Sequence, residues 1–163
     1  MIAELIAQYR SAGVIVDTNI LLLFVVGTFD RSLVGRHKRT VTFTPKDYDI
    51  LLKFLDQFQV WLTTPSVLTE VSNLAAQVGE PYRAGILDYL SKLFPILIER
   101  YTESRILASE KSFSTIGLTD SGIIELGRGG HLVLSDDLTL LQFLASEGIG
   151  AINFHHLRRS DDE

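Results

Sequence analysis

Five acidic residues of this chain sit where a carboxylate can do chemistry: Asp17, Glu70, Asp120, Asp136 and Asp137. Asp17 closes the run Gly13-Val-Ile-Val16 and is followed at once by Thr18, Asn19 and an apolar segment. A short β-branched run that ends in an acid is the pattern of a buried strand delivering a carboxylate to its carboxyl edge, with a helix leaving the turn. In open α/β sheets that edge is where ligands bind. Asp136 and Asp137 follow a second such run, His131-Leu-Val-Leu134, through Ser135. Asp120 opens a helical segment beside Thr119, and Glu70 lies among Leu68, Val71 and Leu74 on a segment of helical spacing. Each has an ordinary explanation alone. A strand-end Asp serves as a turn or cap residue, acids favour a helix N-terminus, and an exposed helix face accommodates Glu70. Together they are harder to explain, because converging carboxylates repel and raise one another's pKa. A hard divalent cation, Mg2+ or Mn2+, prefers such oxygen ligands, and no cysteine or spaced histidine set competes for zinc.

The elements that must position these acids follow from the rest of the chain. Its 163 residues suit one domain, and 46% hydrophobic with 21% charged residues suits an ordered core. Cysteine is absent, which removes disulfides and thiol catalysis and fits a reducing compartment. The opening Met1 to Arg10 carries Glu4 in its apolar part and no basic head, unlike a signal peptide. The apolar run from Ile20 to Gly27 is far short of the ~20 residues that span a bilayer. A cytoplasmic protein with no membrane partner is expected. The net charge of −5 argues against nucleic acid at first sight, but without the five acids 15 acidic residues face 15 basic ones. A cation in the site would reverse its local sign as well.

In chain order the spacing predicts a helix over residues 1–12, a strand to Val16, and helices over 19–27 and from Pro45 to Phe58. A strand at 60–64 precedes a helix opening at Pro65 that carries Glu70. A longer helix from Pro81 to Arg100 is kinked or split at Pro95, a short one covers 103–110, and a loop covers 112–117. Thr119 caps a helix to Leu126, and strands are expected at 131–134 and 149–152 around a helix over 138–147. Residues 1–157 form the domain and 158–163 a mobile tail. Alternating strands and helices predict an α/β fold, a mainly parallel sheet with helices on both faces. The one basic cluster, Arg31, Arg36, His37, Lys38 and Arg39, is either a solvated loop or a set of phosphate contacts along RNA. His155 and His156 read as surface, and Trp61 with Phe54, Phe58, Phe94 and Phe143 as core.

These motifs resemble those of PIN-domain ribonucleases. Asp17-Thr18-Asn19 matches that family's strand-end motif, Glu70 its mid-chain helical acid, and Asp120 its second helix-opening acid. Val133-Leu134-Ser135-Asp136-Asp137-Leu138 matches the last motif and puts the family acid at Asp137. The resemblance covers about residues 13–154 and departs in the N-terminal helix and in an insertion at about 28–60. It implies a parallel α/β/α sandwich and Mg2+- or Mn2+-dependent hydrolysis of single-stranded RNA. Asp17 would be the shared metal ligand, Asp120, Asp137 and Asp136 further ligands, and Glu70 a ligand or a water-orienting group. Thr18, Asn19 and Ser135 would fix the carboxylates, and Arg31, Arg36, Lys38 and Arg39 would contact RNA. The family includes toxins of toxin–antitoxin pairs, so an antitoxin protein and a homodimer join RNA as expected partners.

Two other readings compete. A non-catalytic PIN-like module would bind RNA or protein, although a scaffold has no need of repelling acids. A phosphoryl-transfer enzyme of the haloacid-dehalogenase kind also begins with a strand-end Asp. That class wants a second Asp two residues on, where this chain has Asn19, and a lysine that is missing between Lys111 and Asp136.

Overall fold

Strands in this chain are short, and the central ones are apolar up to their carboxyl ends, as strands covered on both faces must be. The computed structural model describes residues 1–160. Its strands are β1 (Val14–Val16), β2 (Trp61–Thr63), β3 (Ile98–Glu99), β4 (Leu132–Ser135) and β5 (Ala151–Asn153). They form one sheet of order β3-β2-β1-β4-β5, and every pairing is parallel. The chain therefore leaves β1 toward one edge and later returns to its other side at β4. Such a reversal opens a crevice at the strands' carboxyl ends. The register pairs Val16 with Leu134, and the Asp17 N–H donates to the Leu134 carbonyl at 3.0 Å. Asp17 and Ser135 thus leave the sheet side by side.

The helices are α1 (Ile2–Tyr9), α2 (Thr18–Phe29), α3 (Pro45–Leu55), α4 (Pro65–Ala75), α5 (Arg83–Leu93), α6 (Ser104–Leu107), α7 (Phe113–Gly127), α8 (Leu138–Ser146) and α9 (Phe154–Ser160). They flank the sheet and make the expected α/β/α sandwich. Packed against α3, α4 and α5, α2 buries every residue from Ile20 to Gly27. A helix apolar all round belongs in a core. Its 12 residues rise only ~18 Å, well under a bilayer's ~30 Å. Among the described residues no helix is long and apolar enough to cross a membrane. Gly27 is the close-packing point of that helix, because a Cβ there would run into the Tyr48 ring. One apolar cluster runs from Ile6 to Leu157.

The helix starts expected at Pro45 and Pro65 are observed. Thr44 accepts from the Asp47 N–H and closes a capping box ahead of Pro45, and Thr64 caps α4 ahead of Pro65. Other expectations change. The long helix expected from Pro81 runs from Arg83 to Leu93, and a single 3-10 turn around Pro95 leads into β3 where helix was expected. Residues 112–117, expected as loop, supply the first turn of α7 up to a break at Gly117 (φ 77°). The insertion at 28–60 is folded: a 3-10 turn at Arg31–Leu33, further turns and α3 fill it. Of the expected mobile tail, Arg158 to Ser160 end α9, where Arg158 pairs with buried Asp47 at 2.7 Å; 161–163 lie outside the described residues.

Candidate active site

Asp17 is the residue that β1 hands to α2. It is the N-cap of that helix, and its Oδ1 accepts the Thr18 N–H at 2.7 Å. Its Oδ2 accepts the Ser135 hydroxyl at 2.6 Å, across 118 residues of sequence. The Ser135 oxygen in turn accepts the Asp137 N–H at 3.0 Å, so one hydroxyl ties the ends of β1 and β4 together. Only 6% of Asp17 is exposed. Burial raises its carboxyl to about 6 against the hydrogen bonds from Ser135 and Thr18, with smaller help from the charges of Asp136 and Asp137.

Glu70 projects from α4 into the same crevice. The Thr18 hydroxyl donates to its Oε2 at 3.2 Å and the Thr119 hydroxyl to its Oε1 at 2.9 Å. Thr119, expected to cap a helix, instead bridges α7 to α4. The cause is Gly117: its positive φ restarts the helix just ahead of Thr119 and Asp120, a conformation costly for any side chain. Asp120 follows on that new turn, and its carboxyl is raised to about 7, first by burial and then by the charges of Asp17, Asp137 and Glu70. Asp137 is the N-cap of α8, its Oδ1 accepting the Thr139 and Leu140 N–H groups at 2.8 and 3.1 Å.

Asp17, Glu70, Asp120 and Asp137 line one pocket of about 360 Å3, together with Thr18, Asn19, Asn73 and Leu74. Four elements far apart in sequence therefore contribute acids to one cavity. The carboxylates are held at its walls rather than drawn together. Among the described residues no three His, Asp or Glu side chains stand in an arrangement that could hold an ion. The donor set nonetheless suits a hard cation: the acids are oxygen ligands, two are raised partly by neighbouring charge, and Oδ2 of Asp137 accepts no hydrogen bond among the described residues.

Other expected residues lie elsewhere. Asp136 does not line this pocket. Its carboxyl is raised by burial and lowered in part by His155 and by a hydrogen bond from Asn19, and its Oδ1 is buried without a partner. Asn19, expected to fix a carboxylate, lines the pocket itself. The basic cluster is divided. Arg31 is locked to Asp49 by two hydrogen bonds of 3.0 and 2.7 Å, and Arg39 donates to Gln77 at 2.9 Å. His37 is 3% exposed and packs under the end of α4 near the Ala75 carbonyl, so it is a core residue of the loop. Arg36 and Lys38 remain exposed. Asn73 was missed by sequence reading; its position one turn after Glu70 on α4 was the available signal.

The chain matches no protein-family model, no curated protein and no solved structure.

Proposed function

We propose that this protein is a divalent-metal-dependent endoribonuclease of the PIN-domain kind, hydrolysing phosphodiester bonds of single-stranded RNA. The observation that carries the reading is the convergence of Asp17, Glu70, Asp120 and Asp137 on one pocket at the point where the strand order reverses. Mutual repulsion of such acids lowers the stability of the folded chain at neutral pH, which points to a role other than folding. Asp17, Asp120 and Asp137 would hold Mg2+ or Mn2+, with Glu70 as a fourth oxygen donor. Such a cation supplies the positive charge that lets a nucleophile approach a phosphodiester.

The chain's own residues do the positioning. Thr18 N–H and Ser135 orient both oxygens of Asp17, and the Thr18 and Thr119 hydroxyls hold Glu70 on the facing wall. Glu70 would then orient a water. Asp136, outside the pocket lining, would have a supporting role. In the toxin form of this reading, an antitoxin protein would cover the pocket.

A second reading, a non-catalytic RNA- or protein-binding module, draws on the spread of the acids along the pocket walls. Single-turnover cleavage of a mixed RNA pool decides between them. Cleavage should require Mg2+ or Mn2+, stop with EDTA, and disappear in Asp17→Asn purified in parallel. Equal cleavage by wild type and Asp17→Asn would end the nuclease reading.

A further inference from the structure

Beside the acid pocket, and sharing Glu70 with it, lies a larger groove of about 770 Å3 bounded by α4, residues 100–107 and α7. Its volume lies in the range of cavities that enclose organic ligands. The walls are rich in hydroxyls, from Thr64, Ser66, Thr69, Thr102, Ser104 and Thr119. Arg100 and Tyr101, which follow β3, also line it. The Tyr101 side chain is left in solvent, with the residue 73% exposed. Arg100 is exposed, and its guanidinium has no hydrogen bond or ion pair among the described residues.

The exposed side chains of residues 100 and 101 point to the occupant. Of the groove's acids, Glu125 shares the Arg128 guanidinium with Glu110 and Glu147, and Glu70 is held by two hydroxyls at the border of the acid pocket. Arg100 is therefore the groove's unpaired cation. His131 Nδ1–H donates to the Ala12 carbonyl at 2.7 Å, which leaves Nε2 as an acceptor. A free guanidinium, an uncovered aromatic ring and a row of hydroxyls form the combination that holds a polyanion with stackable bases. Continuity through Glu70 puts that polyanion next to the acids.

We infer that this groove carries the single-stranded nucleic-acid segment flanking the phosphate at the acid pocket, with Arg100 on a backbone phosphate and Tyr101 against a base. The inference rests on the nuclease reading and deepens it. Its test measures binding without cleavage: anisotropy of a short fluorescein-labelled single-stranded RNA, in EDTA, over a salt series. Tyr101→Ala should weaken binding about ten-fold while Tyr101→Phe stays close to wild type, as loss of one base stack predicts. Arg100→Ala should reduce the slope of log affinity against log salt by about 0.7, one phosphate contact on a single strand. Both side chains are exposed, and unchanged melting temperatures would exclude misfolding. Wild-type affinity in Tyr101→Ala with a wild-type salt slope in Arg100→Ala would overturn the inference and leave the groove to a protein segment. Because binding is read in EDTA, that failure is separate from failure of the nuclease reading, which shows as cleavage surviving in Asp17→Asn.

Discussion

Replacing Asp17 by Asn should stabilise the metal-free protein at alkaline pH and not at acid pH. The folded carboxyl is raised from 3.8 to about 6, so the native state holds this proton more tightly than the unfolded chain does. Stability from a raised carboxyl is fully present below its unfolded value and is lost as pH climbs through the folded one. Two pKa units correspond to roughly 3 kcal/mol of cost to the wild type at about pH 8. Asn carries no charge and escapes that cost, but its amide offers one acceptor oxygen where the Thr18 N–H and the Ser135 hydroxyl now use two, so one of those hydrogen bonds is given up, a loss of about 1 kcal/mol. The net gain near pH 8 is therefore ~2 kcal/mol, or roughly 4–8 °C in melting temperature for a domain of this size. Near pH 4 only the lost hydrogen bond remains, and the variant should be less stable by ~1 kcal/mol. Circular-dichroism melts in EDTA at constant ionic strength would show the sign change. A variant shifted equally at both pH values would refute the claim that Asp17 is buried at electrostatic cost. The Asp120 carboxyl, raised in part by Asp17, should titrate lower in the same variant when followed by carboxyl NMR.

The other expectations follow from the same pocket. Mn2+ at a hundred times its Kd should raise native stability by ~2.7 kcal/mol, and Asp17→Asn should lose most of that gain; an equal rise in the variant would mean that the ion binds elsewhere. In single-turnover cleavage, Asp17→Asn and Asp137→Asn should each fall by ~10²–10³, the usual cost of one preorganised electrostatic group, and Asp136→Asn by less. Loss in Asp136→Asn with activity kept in Asp137→Asn would overturn the assignment of the two acids. Of the basic cluster, exposed Arg36 and Lys38 should carry RNA contact, since Arg31 is held by Asp49. Replacing Arg36 and Lys38 by Ala should flatten the salt slope of RNA binding by ~1.4, and an unchanged slope would make the loop structural.

What was legible in the chain was whatever local pattern dictates. Strands buried on both faces are apolar in their interior, so the runs 14–16 and 132–134 announced themselves, and the acids after them had to leave one sheet edge. What was hidden depends on partners far away in sequence. Ile98–Glu99 is strand because it pairs with Leu62 and Thr63; nothing within its own two residues opposes a helix continuing from α5. Thr119 looked like a cap, and only the restart of α7 at Gly117 turns its hydroxyl to Glu70, 49 residues upstream. Asp136 and Asp137 are chemically identical neighbours, and the backbone separates them. Asp137 takes the extended N-cap conformation and lines the pocket, while Asp136 stays outside its lining. The same logic explains why Ser135 is central. Parallel register sets Val16 beside Leu134, so the next residues, Asp17 and Ser135, meet wherever those strands pair. The hydrogen bond between them is thus a consequence of sheet register, and any change that slips β4 by one residue would turn Ser135 away and unseat Asp17.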